Sequence, residues 1–347
     1  MNRAVPVLQL SPNAVTLSAK SDASGALSQQ VTVSNAGAGG LNWRATVTTL
    51  NGGLWLAIGP ADGSGTGTLT VTADPAGLAG GTYVARVSVT ADGATNSPAQ
   101  VQVTLTVERQ KPELTVPGIV NAASLASGPV TPGQILSIFG SRLGPQQGVA
   151  FRFDPLSGRI PTSLAGVRIS FDGVLSPLFY VSSGQVNLQV PIEVAGKRTT
   201  RLRVEVDGLD PAEMDVEVGE VAPGIFTVDG RYAAALNQDS SVNSPQRPAA
   251  PGTVVQLFLT GQGMVTPRVE TGALAPGPPS FALPNQPVLV TINSVEARVI
   301  YAGMAPGLAG LLQVNAEIPT AIGASDSVVV VVKVGSAASP AAFIAVR

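Results

Sequence analysis

The chain of 347 residues contains no cysteine and no histidine. Without an imidazole base, catalysis by Ser-His-Asp or Cys-His groups is excluded. Zinc sites built on thiolates or imidazoles, haem and iron–sulfur ligation, and disulfide bonds are excluded as well. Any remaining chemistry needs carboxylates, hydroxyls or one of the lysines, which are Lys20, Lys111, Lys197 and Lys333. We therefore expect a protein that is not an enzyme and that needs no cofactor.

Charge and long apolar runs are also scarce. Charged residues make up 12% of the chain and the net charge is −2, whereas a typical soluble domain has about 25% charged residues. The electrostatic field of such a protein is too weak to bind the phosphate backbone of a nucleic acid. The most apolar run, Val328 to Val332, is ended by Lys333 and is far shorter than the roughly 20 residues that span a bilayer. We expect neither nucleic-acid binding nor membrane insertion.

What the chain does have is alternation of apolar and polar residues, broken by turns. Two clear examples of apolar residues at every second position are Tyr83, Ala85, Val87, Val89 and Val101, Val103, Leu105, Val107. Such stretches bury one face of an antiparallel sheet and expose the other. Asp-Gly pairs, which suit tight hairpins, begin at Asp62, Asp92, Asp172, Asp207 and Asp229. The pattern predicts an all-β fold made of three tandem Ig-like β-sandwiches.

Two features predict the domain boundaries. A charged stretch with a proline, residues 108–113, follows an alternating segment and is typical of a linker. Beyond it, two motifs recur in the same order, the second copy carrying extra length near residues 303–310. The matched pairs are Thr131–Phe139 with Ala250–Phe258, and Gln185–Pro191 with Gln313–Pro319. The predicted domains are residues 1–110, then the repeat copies 111–221 and 222–347.

The same residues resemble two known families. Residues 8–107 resemble a BACON-type Ig-like module through Leu10–Pro12, Gln30–Asn35, Trp43, Trp55–Pro60 and Gly80–Tyr83. Residues 117–347 resemble the uncharacterised C-terminal domain family of Solibacter-type acidobacterial proteins. The matching segments are Val120–Ser124, Pro161–Leu164, Tyr180–Asn187, Ala222–Phe226, Asn243–Ser244 and Gly261–Gly263. Thr131–Gly144 is similar to the opening of an IPT/TIG domain. The resemblance implies secretion or surface exposure, supplies no catalytic residue, and for the BACON type suggests carbohydrate binding.

Three aromatic residues of the first domain are candidates for a sugar-stacking platform: Trp43, Trp55 and Tyr83. The alternative is that they fill the core, since a large aromatic side chain buries 150–250 Å². Trp55 lies in an apolar run, Leu54 to Ile58, which favours the core.

A second candidate site alternates oxygen-bearing side chains in the way that a calcium loop begins: Asn237, Asp239, Ser241 and Asn243. The sixth position lacks glycine and the twelfth lacks glutamate, because Val242 and Pro248 stand there. The alternative is an ordinary polar turn. Calcium is the one metal that the sequence leaves open.

Two further groups are interpreted as structural. Acidic residues cluster between Glu205 and Glu220, where alternation with apolar residues places them on the solvated face of a hairpin. The repeated triplets Gln185-Val-Asn187 and Gln313-Val-Asn315 place two amides on one side of a strand. We interpret these amides as partners for neighbouring backbone groups.

The sequence thus predicts a secreted or cell-surface protein from which a signal peptide has been removed. The first functional hypothesis is a structural or adhesive protein that assembles with copies of itself into a filament or surface layer. Assembly would use exposed strand edges such as Val328–Val334, or pairing of the N-terminal arm Ala4–Leu10 with a neighbour. The alternative is an extracellular carbohydrate-binding protein whose partners are surface glycans.

Overall fold

A computed structural model describes residues 4–21, 23, 25–153 and 159–347. The chain divides into two compact units, Met1–Gln110 and Lys111–Arg347. Within the described ranges, the regular structure is β-strand apart from one 3-10 turn, Ile192–Val194. The prediction of an all-β fold is confirmed. No helix in the described part of the chain is long and apolar enough to cross a membrane.

The first unit is a sandwich of two sheets. Its strands are β1 (Leu8–Ser11), β2 (Ala14–Lys20), β3 (Leu27–Asn35), β4 (Asn42–Thr49), β5 (Leu56–Gly59), β6 (Asp62–Ser64), β7 (Gly67–Ala73), β8 (Gly81–Ala91) and β9 (Ala99–Glu108). They pair in the orders β1-β3-β7-β5 and β2-β9-β8-β4-β6. Alternate residues of β8, Ala85, Val87 and Val89, are fully buried between the sheets. The period-two pattern therefore predicted which face of each strand is buried.

The N-terminal arm lies against its own unit, so the prediction that it is available to a neighbour is wrong for this structure. The Val7 N–H donates to Asn35 Oδ1 over 2.9 Å, and Leu8 begins β1, which pairs with β3. An added Cβ at Gly37 would lie 2.5 Å from the carbonyl oxygen of Val5. The arm packs here because glycine leaves room for its backbone and because Leu8 is buried in the core.

The first half of the second unit is another two-sheet sandwich. Its strands are β10 (Glu113–Asn121), β11 (Ile135–Ser141), β12 (Val149–Ala150), β13 (Val167–Phe171), β14 (Val174–Leu175), β15 (Leu178–Val181), β16 (Gln185–Gln189), β17 (Thr199–Val206) and β18 (Ala212–Glu217). The sheet orders are β10-β11-β16-β15-β12 and β14-β13-β17-β18. A hydrophobic cluster that includes Ile138, Phe171 and Leu188 fills the space between them.

The second half repeats this arrangement with one continuous path of strands. Its strands are β19 (Gly224–Ile225), β20 (Ala235–Leu236), β21 (Val254–Thr260), β22 (Val265–Thr266), β23 (Leu283–Pro284), β24 (Val288–Ile292), β25 (Val295–Met304), β26 (Leu312–Glu317), β27 (Ser325–Val334), β28 (Ala337–Ala338) and β29 (Ala342–Val346). The path runs β19-β21-β26-β25-β24-β27-β28, with β20 beside β21 and β29 beside β27. A separate cluster that includes Leu257, Val314 and Ile344 forms its core.

One difference between the two halves lies at a single strand. Where the first half has two short strands, β14 and β15, separated by Ser176 and Pro177, the second half has the ten-residue strand β25. Proline lacks the N–H that a central strand needs, so Pro177 breaks the ladder in the first half. The two compact units divide at Gln110, and the predicted domain bounds stay a prediction. The division of the second unit into two domains stays a prediction, to which the two separate cores give a physical basis.

The apolar segment Val328–Val334 is not a free edge, so the prediction that it is exposed for assembly is wrong. Strand β27 pairs with β24 on one side and with β28 and β29 on the other. Its backbone donors and acceptors are therefore used along most of its length. An isolated stretch of valines predicts a strand, but its position in the sheet depends on partners that are distant in sequence.

The Asp-Gly pairs are turns in all but one case. Asp172 and Gly173 form a two-residue hairpin between β13 and β14, with φ angles of 48° and 84°. The exception is Asp62-Gly63, which lies inside β6. An added Cβ at Gly63 would stand 2.3 Å from Cζ2 of Trp43. This glycine is therefore needed for close approach to an indole and not for a turn.

Candidate functional site

The two tryptophans predicted as a stacking platform lie in the core of the first unit. Trp43 is 4% exposed and Trp55 is 3% exposed. Trp55 Nε1 donates to the carbonyl oxygen of Asn51 over 2.9 Å, whereas Trp43 Nε1 has no partner among the described residues. With so little exposed area, neither indole presents a ring face to solvent. This packing matches the alternative interpretation as core residues, and a stacking role stays an untested prediction.

Tyr83, the third predicted platform residue, is half-buried beside Trp55, whereas Trp43 pairs with Ala91 at the opposite end of β8. The Tyr83 ring meets Trp55 edge-on at a centroid distance of 6.3 Å, and its hydroxyl donates to the carbonyl oxygen of Ala79 over 2.6 Å. An added Cβ at Gly52 would lie 2.3 Å from the Tyr83 ring. The tyrosine therefore anchors two loops of the first unit, which is a structural role.

The predicted calcium residues form a hydrogen-bonded clamp on the C-terminal strand. The Asn243 side-chain amide donates to Asn237 Oδ1 and to the carbonyl oxygen of Ala345, each over 2.9 Å. Asn243 Oδ1 accepts from the Ala345 N–H over 2.8 Å. Both asparagines are buried. Their oxygens are therefore used inside the fold, and β29 is held by one side chain that mimics a neighbouring strand.

The remaining two members of the calcium group bond to each other. Asp239 Oδ1 accepts from the Ser241 hydroxyl over 2.6 Å and from the Ser241 N–H over 3.0 Å. These hydrogen bonds, the one from the hydroxyl first, hold the pKa of Asp239 below its usual value. In the described ranges, no group of three or more acidic residues is arranged to hold a metal ion. The binding of calcium here stays a prediction.

The acidic hairpin is an exposed ladder of ion pairs. Within β17, Arg203 pairs with Glu205 over 2.9 Å. Across to β18, Arg203 pairs with Glu213 and Arg201 pairs with Asp215 over 2.7 Å. Hydrogen bonding to Arg203 lowers the pKa of Glu213. A general acid for glycoside hydrolysis needs the opposite shift. The ladder favours the interpretation as a solvated face.

The repeated amide triplet contributes to an outward surface of the first half of the second unit. On neighbouring strands, Gln185 lies directly opposite Phe139, and Asn187 lies opposite Tyr180. Directly opposite residues share one face of a sheet. We call these four residues the first face. Phe139 is 38% exposed and the other three are half-buried, so the surface is open to solvent.

The second half presents the same four residue types in the same register. Gln313 lies opposite Phe258, and Asn315 lies opposite Tyr301. We call this set the second face. All four residues are half-buried, and burial raises the pKa of Tyr301. The second face is therefore the less open of the two.

The amides of each face are bonded to each other and not to loop backbone, which corrects the interpretation made from the sequence. Gln185 Nε2 donates to Asn187 Oδ1, and Gln313 Nε2 donates to Asn315 Oδ1, each over 2.9 Å. This leaves the glutamine Oε1 and the asparagine Nδ2 without a partner in the described part of the chain. Each face therefore offers a free acceptor and a free donor beside an aromatic ring.

This arrangement suits a polyhydroxylated ligand. A sugar hydroxyl donates and accepts, as a primary amide does, and an aromatic ring provides apolar area for the C–H face of a sugar. Phe139, Tyr180, Phe258 and Tyr301 are not predicted as site residues from the sequence. A signal was present, because each phenylalanine ends one of the repeated segments. Only strand pairing shows that each ring lies beside an amide.

These features define a protein of β-sandwiches, antiparallel except for the parallel pair β2 and β9, whose second unit carries a duplicated polar and aromatic face. Residues 7–115 match the model of a family described as the Viral BACON domain, which confirms the BACON resemblance of the N-terminal third. The resemblance of residues 117–347 to the acidobacterial family stays a prediction. No curated protein matches the chain.

Several solved structures are similar in part. SGBP-B of the Bacteroides ovatus mixed-linkage glucan utilization locus, in complex with a mixed-linkage heptasaccharide, is 11% identical. The match covers 100% of this chain and 69% of that one, with a TM-score of 0.30. The human desmocollin-1 ectodomain is 13% identical over 99% of this chain and 59% of that one, with a TM-score of 0.23.

The Bacteroides ovatus GH5 xyloglucanase is 14% identical over 36% of this chain, with a TM-score of 0.23. The match spans only 21% of the xyloglucanase chain. All three scores are low, so the description of the fold rests on the sheets and cores of this protein, and no function is taken from these structures.

Proposed function

We propose that this chain is a non-catalytic carbohydrate-binding protein of the cell surface or extracellular space. The observation that carries the proposal is the first face. An exposed ring, Phe139, lies beside a free amide oxygen on Gln185 and a free amide nitrogen on Asn187. Hydrogen bonds to hydroxyls would fix the orientation of the sugar, and ring contact would supply apolar burial.

Two further features support the proposal. The N-terminal third matches the BACON family model, and the resemblance to that family suggests carbohydrate binding and exposure outside the cell. Hydrogen bonding to Arg203 lowers the pKa of Glu213 on the hairpin, which suits a surface that binds and does not cleave.

Self-assembly was the first hypothesis from the sequence, and it takes second place here. Its two proposed contacts were the N-terminal arm and the edge Val328–Val334. In this structure the arm pairs with β3 and β27 is flanked on both sides. With those contacts used inside each chain, carbohydrate binding rests on the more specific observation.

The test is affinity electrophoresis of the full chain in gels that contain hydroxyethyl cellulose, galactomannan or soluble starch. We expect at least one polysaccharide to retard the wild type, and Phe139→Ala to weaken that retardation about tenfold, as loss of a central anchor does. Phe153→Ala is the matched control, because Phe153 is 47% exposed and lies outside both faces. An unretarded wild type, or equal effects of both substitutions, would contradict the proposal.

A further inference from the structure

The second unit has the proposed binding arrangement twice, and the two copies agree in register as well as in residue type. In both, phenylalanine lies opposite glutamine and tyrosine lies opposite asparagine. In both, the glutamine donates to the asparagine over the same 2.9 Å. Core packing alone does not require this, because these side chains lie on the outer surface of their sheets. The repeated arrangement therefore points to two sites of one kind.

The two faces lie in one compact unit, and hydrogen bonds join the halves that carry them. The Ile135 N–H, at the start of β11, donates to Thr260 Oγ1, at the end of β21, over 2.8 Å. The Thr260 hydroxyl donates to the carbonyl oxygen of Gly310 over 2.8 Å. Thr260 is fully buried. The buried Thr260 hydroxyl, which both accepts and donates a hydrogen bond, therefore holds β11 of the first face against β21 of the second face.

Further hydrogen bonds strengthen this joint. The Gly272 N–H donates to Gln189 Oε1 over 2.9 Å, and Asn121 Nδ2 donates to the carbonyl oxygen of Ala222 over 2.9 Å. The side chains of Gln189 and Asn121 are both buried. The halves of the second unit are therefore joined by several buried hydrogen bonds.

The separation of the faces can be bounded from the strands. Phe258 stands two residues before Thr260, and Phe139 stands four residues after Ile135. At about 3.3 Å per strand residue, plus one hydrogen-bonded contact, the two phenylalanine Cα atoms are at most about 27 Å apart. That distance is within the reach of a single polysaccharide chain.

The chemistry of the faces selects an uncharged ligand. Neither face contains a charged side chain, and the ion pair that borders the second face, Arg298 with Glu317, is internally neutralised. The four residues of each face would offer an anionic polysaccharide no cation, while its own charges would lose water on contact. Amides and rings bind hydroxyls and C–H groups at no such cost.

We infer that the second unit is bivalent for a neutral polysaccharide, with one site on each face, the first face binding more tightly because it is more open. This inference rests on the proposed function. Because both sites lie in the same compact unit, a polymer that occupies one face is held at high effective concentration near the other face. Binding should then strengthen steeply with ligand length.

The experiment uses isothermal titration of the full chain with oligosaccharides from the neutral polysaccharide that retards it, and alginate as the anionic comparison. We expect two oligosaccharides per chain for the wild type and one for Phe139→Ala or Phe258→Ala. The double variant should lose binding to the polymer by at least about a hundredfold, because both anchors are gone. Alginate should not bind.

Folding is checked by thermal unfolding of every variant, and Gln313→Ala repeats the test on the second face without removing a ring. Phe153→Ala should leave the stoichiometry at two. One oligosaccharide per wild-type chain, or a Phe258→Ala variant that binds as the wild type does, would overturn bivalency while leaving the proposed function intact. A wild type that binds no neutral polysaccharide would overturn both.

Discussion

The turn between β13 and β14 offers a clean test of the electrostatics. The Asp172 carboxylate accepts three hydrogen bonds: from Lys197 Nζ over 2.8 Å, from the Thr200 hydroxyl over 2.7 Å and from the Arg201 N–H over 2.8 Å. These bonds, that from Lys197 first, lower the pKa of Asp172 from 3.8 to about 2. The perturbation is Asp172→Asn, which removes the charge and keeps an oxygen for the Arg201 N–H.

The substitution does not disturb the backbone. Asp172 has a φ of 48° in the left-handed region, and Asn293, at the matching turn of the second half, has the same φ. Asparagine tolerates this conformation as readily as aspartate does. The second half therefore already contains the residue that the variant introduces, and the measured effect reports on charge.

The magnitude follows from the pKa. A fall from 3.8 to about 2 would correspond to ~2.4 kcal/mol at 1.36 kcal/mol per pH unit. The Asp172 side chain is one-third exposed to solvent, which screens the interaction. We therefore expect Asp172→Asn to lower the free energy of unfolding of the second unit by about 1–2 kcal/mol, or a few degrees in Tm.

The sign of the pH dependence is fixed as well. A carboxylate whose folded pKa is depressed stabilises the protein fully above its unfolded pKa, and this contribution is lost as pH falls through the folded pKa. The difference between wild type and Asp172→Asn should be constant from pH 7 to pH 5. It should then shrink between pH 4 and pH 2.

The assay is scanning calorimetry of the full chain at pH 7, 5, 4, 3 and 2. The effect should appear in the transition of the second unit and leave that of the first unit unchanged. Lys197→Met is the control, and in that background Asp172→Asn should cost less. A difference that persists undiminished at pH 2, or that is absent at pH 7, would refute the reasoning.

Three further predictions follow from packing. Gly63→Ala should destabilise the first unit by about 1–3 kcal/mol, because its Cβ would overlap the buried indole of Trp43. The control is Gly40→Ala, whose Cβ would meet nothing within 4 Å and which should leave the stability unchanged. Thermal unfolding of both variants checks this prediction. Asn243→Ala should lower the stability of the second unit by about 2–4 kcal/mol in the presence of EDTA, because three buried hydrogen bonds are lost. An effect seen only with calcium would contradict the clamp. Deleting residues 1–10 should lower the Tm of the first unit, because the arm is part of its own sandwich. The oligomeric state of the chain, measured by light scattering, should not change. Loss of an assembly on deletion would contradict this prediction.

Much of the fold could be predicted because its signals are local. Alternation predicted the buried faces of strands such as β8, since adjacent side chains of a strand point to opposite sides. The Asp172-Gly173 hairpin was predictable because both positions need a φ that aspartate and glycine tolerate. The absence of histidine and cysteine was enough to exclude whole classes of chemistry.

The candidate site could not be predicted in the same way, because it depends on which strands become neighbours. The sequence by itself determined that two copies of a Gln-Val-Asn triplet and a Pro-Gly segment ending in phenylalanine exist, and that they lie on strands. Only the tertiary structure decided that Phe139 lies opposite Gln185, that Trp43 is buried and that β27 is a central strand. The physical reason is that cross-strand register and burial arise from contacts between residues far apart in the chain, whereas alternation and turn residues act within a few positions.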